Sequence, residues 1–312
     1  MKDAIHRRLC HFLMVKPKAI LRRRKHGLSL ALRDDATLVK TLLGAAVSPS
    51  LVIEDVISPR LLDDAELMWW LIGIEPCCLR YASQKLRCNA ALIWHAIERV
   101  AQRDPLTCGR GISLAWLDEK LRDDEEICYA VLRQKSAPYL EFAFVSWRLR
   151  NDVAFVSRVI SKVHPCCLRH ATHHVRSQKK IALLAISKMS EQNIRQSDFV
   201  ELIWLSATLR DDQQIVTAIV EKLKDKSSYT FGDASVRLRS NVDFVRFAVE
   251  LDPRNLHFAS PELRNDTSLG LTAASVRVKS DMERVNLRRL GHLVRNDPRV
   301  NLRLATTPLL EF

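Results

Sequence analysis

The residues richest in chemistry lie in one stretch, His164-Pro165-Cys166-Cys167-Leu168-Arg169-His170-Ala171-Thr172-His173-His174. On an α-helix Cys166 and His170 stand four apart, as do His170 and His174, so all three face one way. Thiolate sulfur and imidazole nitrogen at that spacing form a zinc-ligand pattern. The chain carries its own control. Pro165 to Thr172 recurs as Pro76-Cys77-Cys78-Leu79-Arg80-Tyr81-Ala82-Ser83 and as Pro253-Arg254-Asn255-Leu256-His257-Phe258-Ala259-Ser260. There His170 becomes Tyr81 and Phe258, and Cys167 becomes Cys78 and Asn255. A ligand set demands fixed donors, so a metal site shared by the copies is ruled out. The expectation is no metal and no cofactor, with Cys166, His170 and His174 as the ligand set that one copy alone could offer.

Other catalytic patterns are absent from the sequence. There is no phosphate-cradling glycine loop, no HExxH and no GxSxG. Cys166 with His170, or Cys10 with His11, is not a nucleophile and base by spacing alone, because such partners need contact in space. No enzyme activity is expected. The eight cysteines include no CxxC pair, and in a long helical chain they read as reduced, mostly buried thiols.

The elements that would position any site are organised by Leu-Arg-Asp-Asp. Strict copies begin at Leu32, Leu121 and Leu209. Looser copies begin at Leu61, Leu86, Leu149, Val175, Leu238 and Leu263. Three unequal steps make a block of 88 or 89 residues, and Ser58-Pro59-Arg60, Ser146-Trp147-Arg148 and Ser235-Val236-Arg237 recur at the same interval. After each motif comes an apolar stripe at i, i+3, i+4, i+7: Val39, Leu42, Leu43, Ala46; then Val156, Val159, Ile160, Val163; then Val216, Ile219, Val220, Leu223. That period is one face of a helix. Asp35, Asp124, Asp152, Asp212, Asn241 and Asp266 stand where a side chain caps the first turn. The first half of each unit is another short helix, as in Tyr139 to Val145, and the anchor leucine is its core contact.

The predicted fold is therefore all-α: an α-α superhelix, or helix-pair solenoid, of about nine to eleven short repeats grouped in three three-unit blocks. The expected divisions are a basic lead-in (1–26), blocks at 27–110, 111–198 and 199–275, and degenerate repeats with a C-terminal cap (276–312). The anchor arginines could form an anion-binding ladder. The balanced charge of the body favours instead their pairing with acidic turn residues. The tryptophans at 69, 70, 94, 116, 147 and 204 read as core, except that adjacent Trp69 and Trp70 cannot both face inward. Trp70 is taken as the exposed contact candidate.

The formal charge of +13 sits at the ends. Residues 1–26 hold nine Lys/Arg against Asp3, and 276–303 hold eight against Asp281, Glu283 and Asp297. Arg22, Arg23, Arg24 and Lys25 are the basic contact candidates, for a partner, a nucleic acid or an anionic surface. No apolar run reaches the roughly 18 residues of a membrane span. Nor does an apolar signal-peptide region follow the basic start.

The string Ala-Ser-x-x-Leu-Arg-x-Asp-x-x-x-Val resembles a DUF4116-like family of tandem helical repeats, a domain of unknown function. Tyr81 to Arg87 and Phe258 to Asp266 carry its anchor, and Leu149 to Val156 its second half. The resemblance spans about 27 to 275. It implies helical repeats, no known catalytic residues, and members found in bacteria that live in or on eukaryotic hosts. The expected function is a non-catalytic helical-repeat scaffold for protein–protein interaction, in a host-associated bacterium a secreted effector. Such a chain is cytoplasmic at synthesis and delivered into a host cell without a cleavable signal peptide. The alternative is a nucleic-acid-binding helical-repeat protein using its basic termini.

Overall fold

The computed structural model describes residues 29–44, 46, 48–51, 53–102, 111–135, 137–276 and 284–308. Among them every regular element is helical and none is a strand. The chain divides into two compact parts, 1–149 and 150–312. In the first, four longer helices follow one another: α1 (Ala36–Gly44), α2 (Ala65–Ile74), α3 (Ala90–Ala101) and α4 (Glu125–Arg133). In the second come α5 (Val153–Lys162), α6 (Lys179–Lys188), α7 (Gln213–Leu223), α8 (Val242–Leu251), α9 (Thr267–Ser275) and α10 (Pro298–Thr306). Within each part, each longer helix packs on the next.

A single rule sets which face is buried. Counting from the residue before the helix, positions three, four, seven and eight are buried in each of α1 to α9. Thus Asp124 is followed by buried Ile127, Cys128, Val131 and Leu132, and Asn241 by Phe244, Val245, Ala248 and Val249. The stripe therefore begins one residue earlier than the sequence period suggested. Gly270 holds one of these positions because a Cβ there would come within 2.4 Å of Val294. All six expected caps form. Asp35, Asp124, Asp152, Asp212, Asn241 and Asp266 accept from Leu38, Ile127, Phe155, Ile215, Phe244 and Leu269 N–H at 2.9–3.2 Å. These bonds satisfy donors that a helix start leaves open.

The motif itself is a separate short helix rather than the end of a longer one. Gln84–Arg87, Glu119–Arg122, His173–Arg176, Ala207–Arg210 and Val236–Arg239 are each one turn long. Each buries its anchor leucine or valine: Leu86, Leu121, Val175, Leu209 and Leu238. Ahead of the motif stands another short element, such as Pro138–Phe142 or the 3-10 helix Pro165–His170. So three helical pieces stand where the sequence period suggested two.

Single turns are not stable alone, and the anchor arginines tie them down. The backbone carbonyl of the arginine accepts the N–H that opens the next motif: Ser58 to Arg33, Ser146 to Arg122, Thr172 to Arg150, Ser235 to Arg210, Ser260 to Arg239, at 2.9–3.0 Å. The guanidinium reaches for carbonyls just before that point. Arg33 donates to Ile57 O, Arg87 to Trp116 O, Arg150 to His170 O, Arg176 to Trp204 O and Arg239 to Phe258 O. These five anchor arginines thus pair with backbone carbonyls, not with the acidic turn residues. A carbonyl 19 to 29 residues further along the chain cannot be seen from local charge pattern.

The acidic turn residues have other partners, and the arrangement occurs three times. Asp34 accepts from Ser58 Oγ (2.5 Å) and from Arg60 Nε (2.8 and 2.9 Å). Asp123 does so from Ser146 and Arg148, and Asp211 from Ser235 and Arg237. In each, Nη2 of the arginine also donates to the aspartate's carbonyl, at 2.6–3.0 Å. The serine hydroxyl, then the arginine, holds all three carboxyls below the usual range. Each serine Oγ accepts in turn from the amide of the anchor leucine.

Ser146→Ala removes one acceptor and one donor from this clasp and is expected to cost about 1 kcal/mol. Asp124→Ala, which uncaps α4, is expected to cost about the same. Both are read as a lowered urea midpoint at unchanged helical circular dichroism.

Candidate interaction surfaces

The Cys/His stretch folds as two pieces. Pro165–His170 is a 3-10 helix, and Ala171 and Thr172 are extended before His173–Arg176 begins. Three residues per turn take Cys166 and His170 off a common face, and the break parts His170 from His174. The i, i+4 register behind the zinc-ligand pattern is not formed, and no three His, Cys, Asp or Glu side chains are grouped for a metal among the described residues. Burial pushes the Cys166 thiol up to about 12 and Cys167 higher still, so neither is a thiolate at neutral pH. Burial, with Arg169, Arg150 and Arg176 adding, holds His170 below its ordinary value. His164 serves as the cap of the 3-10 helix, its Nδ1 accepting Cys166 N–H at 3.2 Å.

His257 has a related task. Its Nε2 accepts Asn286 N–H at 2.7 Å, and burial, then Arg289, depress its pKa to about 4. A protonated ring could not accept that bond.

The basic candidates divide. Arg22, Arg23, Arg24 and Lys25 lie outside the described residues. In the basic C-terminal stretch, several arginines are spent on the protein itself. Arg284 donates to Leu304 O and Thr307 O, Arg295 to Leu290 O, Arg303 to Ser275 Oγ, and Arg299 pairs with Asp297. Arg288 and Arg289 are exposed.

The tryptophans are mostly not core. Trp204 is buried, whereas Trp69, Trp94 and Trp147 are exposed. Trp70, the contact candidate, is half-buried, and its indole lies where a side chain at Gly44 would meet it, at 3.6 Å. Its neighbour Trp69 is 46% exposed and stacks on His95 of α3, ring centroids 4.2 Å apart.

Sequence reasoning missed a second run of exposed apolar side chains in the first part. Leu140 is 57% exposed, Phe144 41% and Trp147 67%, within eight residues of chain. The helix Pro138–Phe142 buries Pro138 and Phe142 and turns Leu140 outward. The signal was present: Tyr139 to Val145 is apolar nearly all round, and a single turn cannot bury every side.

The model of a family described as a domain of unknown function (DUF4116) matches residues 219–264. The match runs from within α7 to the anchor arginine Arg264, taking in the motif at Leu238 and the first two residues of the one at Leu263. The family resemblance drawn from the anchor residues is thus met over that stretch. No curated protein and no solved structure matches the chain.

Two outcomes are expected here. Protein dialysed against a chelator and returned to zinc-containing buffer should retain no stoichiometric zinc by atomic absorption. His257 gives a pH signature. Its folded pKa lies below the ordinary 6.5, so its stabilisation is complete above that value and is lost as pH falls towards about 4. In His257→Gln, which keeps an acceptor that does not titrate, the unfolding midpoint should fall less between pH 7 and 4.5.

Proposed function

We propose that the chain is a non-catalytic scaffold that binds a protein partner, built as an α-α superhelix of nine to eleven short helical repeats in three blocks. Its address is cytoplasmic at synthesis, with delivery into a host cell, as the family resemblance implies. The observation that carries the reading is the exposed group Leu140, Phe144 and Trp147. Large apolar side chains left together in water are a feature of binding surfaces, and tryptophan is over-represented among residues that dominate them. The recurrent polar residues add support. The carboxylates of Asp34, Asp123 and Asp211 are spent on serine and arginine partners. A frame held in this way leaves its outward positions open to contact, without cost to the fold.

The test compares affinity capture by the full chain, by a chain lacking 1–26, and by the L140S/F144S/W147S variant. A discrete protein partner should survive the deletion and be lost, or weakened about tenfold or more, by the triple substitution. Circular dichroism should be unchanged, since all three side chains are in solvent. Loss of all binding with the deletion, or steep dependence on salt, moves the activity to the basic end and sinks this reading.

A further inference from the structure

In the second part, three anchor arginines line two adjoining hollows. One, of about 300 Å³, is walled by Arg210, Asp233, Val236 and Arg239. The other, of about 350 Å³, is walled by Val236, Arg239, His257, Phe258, Pro261 and Arg264. Val236 and Arg239 belong to both, so the hollows form one trough.

The arginines differ in what they already hold. Arg239 donates Nε to Ala234 O at 3.0 Å and Nη1 to Phe258 O at 2.9 Å. Arg210 and Arg264 donate to no described residue, although both are half-buried and their Nε atoms are shut away from solvent without a partner. Nε is also unpartnered in Arg33, Arg87, Arg122, Arg176 and Arg284; of these, Arg33, Arg87, Arg176 and Arg284 spend Nη on carbonyls, and Arg122 lines neither hollow. A guanidinium in the wall of a hollow that spends no donor on the protein favours a ligand that brings oxygen. It presents its donors as a fork that matches a carboxylate.

The rest of the lining narrows the choice. Three arginines face one carboxylate, Asp233, so the trough is net positive. His257 is committed as an acceptor to Asn286 N–H and adds no charge at neutral pH. Between the arginines the wall is apolar: Val236, 69% exposed, with Phe258 and Pro261. A continuous phosphate backbone would have to pass the Asp233 carboxylate and would leave the apolar wall unused.

We propose that this trough binds an extended acidic segment of a partner protein, with carboxylates on Arg210 and Arg264 and an apolar side chain between them against Val236 and Phe258. The inference rests on the reading of the chain as a protein-binding scaffold and assigns it a second contact. Asp233 sets its specificity by repelling a carboxylate placed at the middle of the segment.

The test uses the full chain and fluorescein-labelled peptides carrying two Glu residues on either side of a Leu, at several spacings, against the same peptides with Gln. Fluorescence anisotropy should show binding of at least one Glu peptide and none of its Gln twin. R210Q and R264Q should each weaken it about tenfold. Val236 is exposed, so V236E and V236K leave the fold intact, as circular dichroism checks. V236E should abolish binding and V236K should not. Equal affinity for Glu and Gln peptides, indifference to V236E, or displacement by oligo-dT at constant ionic strength overturns the proposal. A partner still captured through Leu140, Phe144 and Trp147 by V236E, while no acidic peptide binds, overturns the trough alone and leaves the scaffold reading in place.

Discussion

The structure depends on one backbone hydrogen bond made again and again: the amide that opens a motif donates to the carbonyl of the second residue of the one before, an arginine in every such pair except that of Ser83 with Leu62. It joins Ser58 to Arg33, Ser83 to Leu62, Asp118 to Arg87, Ser146 to Arg122, Thr172 to Arg150, Ser235 to Arg210, Ser260 to Arg239 and Gly291 to Arg264. A one-turn helix has too few internal bonds to persist, and its last carbonyls face nothing. Here the carbonyl that the turn cannot satisfy becomes the attachment point of the next segment. The same residue supplies the carbonyl and, in five motifs, a guanidinium that binds a second carbonyl. Gly291 shows how tightly this point is built. Any Cβ there would come within 2.3 Å of Asn265 Oδ1, which accepts Leu293 N–H at 2.8 Å.

Which parts of this were legible in the sequence follows from how far each interaction reaches along the chain. The caps were legible because Asp152 and Phe155 are three apart and the physics is local. The buried stripes were legible because helical period is local too. The arginine contacts were not, because their acceptors are backbone carbonyls, which every residue carries and no sequence marks. Asp34 could be recognised as recurrent, but its partner Arg60 lies 26 residues on and is not the arginine beside it. The zinc-ligand pattern failed for a related reason. Its i, i+4 spacing presumes an α-helix, whereas Pro165 opens a 3-10 turn that ends at His170. The facing of the tryptophans was not legible because residue type does not report it. Trp147 follows the capping serine and points to water, whereas Trp204 ends a short 3-10 helix whose side chain is buried.

Positions at equal phase show where the chain has room to vary. The residue ahead of the 3-10 proline is Glu75, His164 or Asp252. His164 and Asp252 both accept the amide two residues on, from Cys166 and Arg254. Glu75 instead reaches back to Ser50, taking its amide at 2.8 Å and its hydroxyl at 2.7 Å. An imidazole and an acid serve the same turn because what is needed is an acceptor, not a charge. Burial acts accordingly: it opposes the charged form of His164 and lowers its pKa, while the bonds from Ser50, Cys77 and Ser48 outweigh burial and lower that of Glu75.

The same logic separates frame from function. Asp123, Ser146 and Arg148 are matched by Asp211, Ser235 and Arg237, bond for bond. Between those fixed points, at the same interval of 89, Phe144 gives way to Asp233 and Trp147 to Val236. One substitution exchanges an exposed ring for a carboxylate, and the other an indole for a small branched side chain. The first arrangement leaves an apolar surface beside Trp147. The second leaves a hollow with Arg210 and Arg239 in its wall. Neither exchange touches the clasp, the cap or the buried stripe, so neither costs the fold what a core change would. A frame whose bonds run through backbone carbonyls and a few recurrent polar residues can therefore carry different chemistry at equivalent places, and binding differences should concentrate where the copies stop matching.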